Sequence, residues 1–293
     1  MLVVGVLLAA VFAVALLVLG RGPDTLVPGL LDPGVITRYG ITVVRVLAES
    51  ASVVCVGSLL LAAFLVPPQR SGTLAPGGYA ALRTAGFAAW AWFAASILSV
   101  AFTAADSAGK PIQEVLNPQT LLDLVGAIEQ PKAWLWTALI TIWIALGCRL
   151  ALTWGWTAVL FVLAVGGLIP VAVTGHSASG GSHDIATNSL LYHLIAASLW
   201  IGGLIAVLAL GFRRGDHLKL AATRFSRLAL VCWLVMAASG AINALVRINL
   251  GDLFTTSYGL LVVAKIVALL LLGVFGWQQR QRGVADLVDG RGP

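Results

Sequence analysis

Eight apolar runs divide the chain, near residues 2–19, 36–66, 80–103, 133–149, 155–173, 187–211, 225–246 and 257–278. At about 1.5 Å per helical residue, each is long enough to cross, or nearly cross, about 30 Å of hydrocarbon. Within lipid every backbone N–H and C=O must find a partner, and single runs of this length achieve that as α-helices. The chain is 59% hydrophobic and 10% charged, too little polar surface to cover a soluble globule. The expected fold is all-α: one polytopic integral membrane bundle over 1–293, with about eight transmembrane helices and a polar tail at 283–293. The run at 36–66 exceeds what a crossing needs, so it tilts or extends past the bilayer. The run at 2–19 lacks a basic segment ahead of it and stays apolar until Arg21, so it reads as a retained helix and not a leader.

Basic residues of short loops are retained on the cytoplasmic side, and here they collect in alternate loops. Arg70 and Arg83 flank 67–79, Arg149 ends the fourth run, Arg213, Arg214, Lys219 and Arg224 surround 212–224, and Arg280, Arg282 and Arg291 follow the last run. The opposite loops hold Asp24, Asp32, Asp106, Glu114, Asp123 and Glu129. Both termini are therefore expected in the cytoplasm, in a multi-pass protein of the inner membrane. The net charge of +6 is accounted for by this retention signal, so no nucleic-acid surface is read from it. Cys55, Cys148 and Cys232 lie in separate apolar runs without a CxxC spacing, which implies no disulfide. The tryptophans suit interfacial belts, with Trp134 and Trp136 at one edge and Trp277 at the other.

Three of the four histidines fall in one stretch. His176 and His183 bound the polar loop HSASGGSHD, and His193 lies just inside the next apolar run. Asp184, Thr187 and Asn188 are candidate caps where that run becomes helical, which puts His193 roughly 9 Å below the helix start with Trp200 on its face. Neutral imidazoles converging at a wet membrane edge make a borderline-soft metal site, with Asp184 as an additional oxygen donor. The spacing matches no fixed metal signature. A second reading stands beside it: solvated loop histidines, with His193 bonded to a backbone carbonyl.

Ionisable groups inside lipid are costly, which makes each one a functional suspect. Arg45 and Glu49 are one turn apart and can pair; Lys265 and Asn243 lie at comparable depth in the last two runs. If they face inward, these groups line a transport path or compensate charge along it. The alternative is a self-neutralising structural pair and a snorkelling lysine. Cys232 and Met236, at i and i+4, present two soft sulfur donors of the kind Cu(I) prefers, although both residue types are also routine core fillers.

His193 followed by Trp200, Gly202 and Gly203, then Arg224, Phe225 and Ser226, then Gly240, then Tyr258, Gly259 and Lys265, resembles the copper resistance D (CopD) family of membrane proteins, best over about 170–282 and more loosely over 1–169. The resemblance implies a copper-handling protein that imports copper or delivers it at the membrane. Copper ion would be the cargo, captured at the outer face by His176, His183 and His193. It also implies a periplasmic copper-binding protein and an oxidase assembly domain or protein as partners, besides the lipid bilayer. Two other classes remain open. A non-transporting assembly or docking factor would use the histidines to sense metal. A haem-binding electron carrier needs a second axial ligand, and only His193 lies inside a run. No nucleophile, base and orienting acid recur at catalytic spacing, so no enzyme is expected.

Overall fold

The computed structural model describes residues 32–174, 183–248, 251 and 253–281; the run at 2–19 lies outside them. Ten α-helices follow in order: α1 Gly34–Leu60, α2 Pro76–Ala108, α3 Ile112–Val115, α4 Pro118–Ala127, α5 Glu129–Leu150, α6 Trp154–Gly166, α7 Ile169–Val173, α8 His183–Phe212, α9 Leu218–Arg247 and α10 Ser257–Gln279. Seven segments among them are long and apolar enough to cross a membrane, with α6 and α7 together making one. They match the seven expected runs that fall within the described residues. Outward-facing side chains such as Trp143, Phe212, Leu271 and Phe275 are large and apolar, as a lipid-facing surface requires.

The long second run is a single 32-residue helical segment, Gly34–Leu65. After Leu60, α1 continues as a π-helical turn, Leu61–Leu65. A π-turn withdraws carbonyls from the regular i to i−4 ladder, and in an apolar medium those oxygens need other donors. Two side chains supply them: the Trp154 indole N–H donates to the Ala63 carbonyl at 2.6 Å, and Arg224 Nη1 donates to the Phe64 carbonyl at 2.8 Å. Thr73 and Thr153 form an isolated β-bridge beside this turn. The loops carrying Arg70, Arg149, Arg213 and Arg214 thus gather at one end of the bundle, here termed the basic end.

α2 starts at the basic end with Pro76 as a first-turn residue and stops at the other end at Gly109, a left-handed cap at φ 61°. The acidic segment after it is not a plain loop but the short helices α3 and α4. The Thr37 hydroxyl accepts from the Ile112 amide at 3.2 Å and ties this segment to the start of α1.

α1 is the axis of the core, packed against α2 on one side and α8 on the other. Gly57 and Gly202 meet backbone to backbone, with no room for a Cβ on either. Lipid gives helices no hydrophobic drive to associate, so close approach through small residues supplies the dispersion energy instead. Gly203 lies against the Phe225 ring. The Trp-x-Gly-Gly and Arg-Phe segments are therefore packing devices that lock α8 and α9 to α1. Trp134 is buried in this core, whereas Trp136 and Trp277 face outward. All three cysteines are buried and free.

Candidate metal site between α8 and α9

Two polar pairs, each one helical turn long, stand in the halves of these helices away from the basic end: Ser189 and His193 on α8, Ser239 and Asn243 on α9. Residues four apart share a helix face, and the antiparallel packing of α8 on α9 sets the two faces against each other. His193 Nδ1 lies 3.0 Å from Ser239 Oγ. The Ser189 hydroxyl donates to the Ser239 carbonyl at 2.7 Å, and Asn243 Nδ2 donates to Ser189 Oγ at 2.7 Å. Ser189 and Ser239 are buried, while His193 and Asn243 are partly exposed.

One proton arrangement of this network leaves the outer ring nitrogen free. A serine hydroxyl has one proton, and that of Ser239 is directed to the Met236 carbonyl at 3.2 Å. With the proton so placed, its oxygen accepts from Nδ1–H of His193. The proton then sits on Nδ1, and Nε2 keeps its lone pair free to bind a metal or accept a proton. Sequence reading singled out His193 and Asn243 but gave no site role to Ser189 or Ser239. The legible signal was the coincidence of two polar i, i+4 pairs in neighbouring apolar runs.

Helix register places the other polar residues. From the Gly57–Gly202 contact, His193 lies nine residues, about 14 Å, away from the basic end, and Glu49 lies eight residues, about 12 Å, in the same direction. On α10 the register is fixed by Trp233, whose indole N–H donates to the Leu269 carbonyl at 3.0 Å. Lys265 thereby falls within about one turn of the His193 level. Arg45, Glu49, Ser189, His193, Ser239, Asn243 and Lys265 thus form one polar layer in the half of the bundle away from the basic end. His193 is five residues, about 8 Å, inside the span that starts at Asn188.

Membership in one layer is not convergence. Arg45 Nε bonds Glu49 Oε1 at 2.9 Å, and both side chains are more than half exposed. They turn outward from α1, and Lys265 is exposed as well. All three are exposed, so the described residues do not bring them inward onto the α8–α9 contact. Cys232, Met236, Ser239 and Asn243 follow one stripe of α9, spaced i, i+4, i+7 and i+11. Met236 is one turn inward of Ser239. Cys232 is seven residues, about 10 Å, inward, too far to share one coordination sphere with His193.

α8 begins at His183, earlier than the expected start, so Asp184 and Thr187 fall inside its first turns and His193 is ten residues along it. Their side chains, and all of His176, lie outside what is described, as does the meeting of His176 and His183 with His193. Among the described residues no three His, Cys, Asp or Glu groups converge as metal ligands.

Among the described residues the arrangement is that of a polytopic membrane protein with a histidine held between two of its spans. The family model for copper resistance protein D matches residues 219–292, and that for the N-terminal domain of copper resistance protein D-like proteins matches 35–184. The second match covers more than half of the chain, which belongs to the copper resistance protein D family. An uncharacterized protein of Mycobacterium leprae is 25% identical over 155 residues, 53% of this chain and 24% of that protein. Another from Mycobacterium bovis is 26% identical over 164 residues, 56% of this chain and 25% of that protein. The copper transport protein CutJ of Bacillus subtilis is 32% identical over 143 residues, 44% of this chain and 26% of that protein. The chain thus spans about a quarter of the length of these relatives. No solved structure matches it.

Proposed function

We propose that this protein carries copper into or across the cytoplasmic membrane, with its basic end inward and His193 as the ligand that receives the ion within the membrane. The observation that carries the reading is the oriented imidazole: Ser239 holds Nδ1, and Nε2 is left as a donor about 8 Å inside the span. Family membership and the likeness to CutJ support copper as the cargo.

In this mechanism His176 and His183 capture copper at the outer face, with Asp184 as an auxiliary oxygen donor, and pass it to His193. Met236, one turn inward on the α9 stripe, is the next soft donor, and Cys232 follows a turn further in. Copper then moves by ligand exchange along α9, one turn at a time. Lys265 carries the same sign of charge as the ion and lowers its affinity at the His193 level, which suits a site that must release what it binds. Glu49 and Arg45 neutralise each other beside this layer and keep it free of net charge from α1. Asn243 holds Ser189, and through it the α8–α9 geometry. A periplasmic copper-binding protein as the outer donor and an oxidase assembly protein as the recipient are consistent with this route.

The test is copper binding by the detergent-purified chain, with Cu(I) and Cu(II) titrated separately against wild type and H176A, H183A and H193A. Binding of about one copper per chain that is lost in H193A and weakened in the other two supports the route. Binding unaffected by H193A refutes it and leaves a docking role.

A further inference from the structure

A cavity of about 330 Å³ opens between α2 and α5 near the basic end, far from the histidine layer. It is lined by Tyr79, Arg83, Gly86, Phe87, Trp90, Cys148 and Arg149. Tyr79, Arg83, Gly86 and Trp90 are spaced i, i+4, i+7 and i+11, so one stripe of α2 makes one wall. A Cβ on Gly86 would stand 3.1 Å from that of Cys148, so the helices touch at the cavity floor and Arg83 and Arg149 reach it from opposite sides at similar height. Neither arginine has a hydrogen-bond or ion-pair partner among the described residues, and both are exposed. Phe87 is 65% exposed, and the Trp90 indole N–H has no acceptor among the described residues.

Retention of basic residues in short loops explains why arginines occur at this end, but not why two of them flank one cavity with an aromatic wall. Two guanidinium forks across a cavity mouth match the oxygens of a phosphate diester, to which each can donate two parallel hydrogen bonds. Phe87 and Trp90, deeper along the same helix, supply apolar surface at the depth where acyl chains begin. A soluble phosphate would use the arginines and leave the aromatic wall idle. Basic pockets between transmembrane helices on the cytoplasmic side are the setting in which anionic headgroups are held.

We infer that the Arg83–Arg149 cavity is a binding site for an anionic phospholipid of the leaflet at the basic end, its phosphate between the two guanidinium groups and its glycerol and acyl portion on Phe87 and Trp90. Lipid seated there joins α2 to α5 at the end where Gly86 and Cys148 make the contact.

The test titrates the detergent-purified full chain with phosphatidylglycerol and with phosphatidylcholine and counts bound lipid by native mass spectrometry. Wild type should retain about one phosphatidylglycerol more tightly than phosphatidylcholine. Arg83→Gln and Arg149→Gln should each weaken that binding about fivefold, as expected for loss of one basic residue at an anionic membrane surface. Arg213→Gln, which removes the same charge elsewhere at the same end, should leave it unchanged. Equal weakening by Arg213→Gln, or no preference over phosphatidylcholine, overturns the site. Inorganic phosphate that displaces the lipid at millimolar concentration assigns the arginines to a soluble anion and overturns it too. Helix content and thermal unfolding of each variant show that loss of lipid is not loss of fold.

Discussion

Ser239→Ala tests the tautomer argument most directly. The substitution removes one oxygen from a buried position and leaves the backbone carbonyl that accepts from Ser189 in place, so the α8–α9 contact should survive. What is lost is the acceptor 3.0 Å from His193 Nδ1. An orphaned donor in a half-buried site costs about 1–3 kcal/mol, whereas hydrogen bonds between transmembrane helices average nearer about 0.6 kcal/mol. The bounds correspond to about threefold and about 150-fold in affinity, which bracket the about 10- to 100-fold typical of losing the group that orients a metal-bound histidine. Copper affinity of S239A, measured by competition with a chromogenic Cu(I) chelator in detergent, should fall within that range, while H193A should abolish the intramembrane site. Thermal unfolding should show a stability loss no larger than that of the orphaned donor, about 1–3 kcal/mol. Wild-type affinity in S239A, with H193A still inactive, would sink the claim that Ser239 sets the imidazole. A large loss of stability in S239A would recast the serine as a packing residue.

Gly202→Ala should destabilise the bundle by at least about 2 kcal/mol in detergent unfolding, because the new Cβ meets the Val53 carbonyl and the Gly57 backbone, neither of which can rotate away. Gly240→Ala, with open space around the Cβ, should be neutral or mildly stabilising, and equal effects at the two glycines would contradict the packing described. Arg224→Gln should cost about 1–2 kcal/mol by leaving the Phe64 carbonyl short of its donor, measured by the same unfolding curves. At the α1 ion pair, Arg45→Gln and Glu49→Gln should each destabilise more than the double variant, since each alone leaves an uncompensated charge at membrane depth. Additive effects in that double-mutant cycle would show that the two charges do not sense each other.

Arg224 and Phe225 show where reading by sequence stops. Both stood out as part of a motif, yet their work depends on a π-turn about 160 positions earlier that no local pattern signals: one supplies a donor to the carbonyl that turn frees, and the other fills the space beside Gly203. Arg45 and Glu49 show the reverse, since a four-residue spacing already allows their pairing and the structure has them at 2.9 Å. What spacing left open was the direction they face.

The sequence alone determined the all-helical membrane bundle, nearly all of its spans, the gathering of basic residues at one end and the candidacy of His193. Each of these follows from hydropathy, charge and helical period, which are properties of neighbours along the chain. Tertiary structure decided which polar groups touch. His193, Ser189, Ser239 and Asn243 come together because two antiparallel helices happen to be in register, and register is set by contacts such as Gly203 on Phe225, distant in sequence and invisible to any window along it.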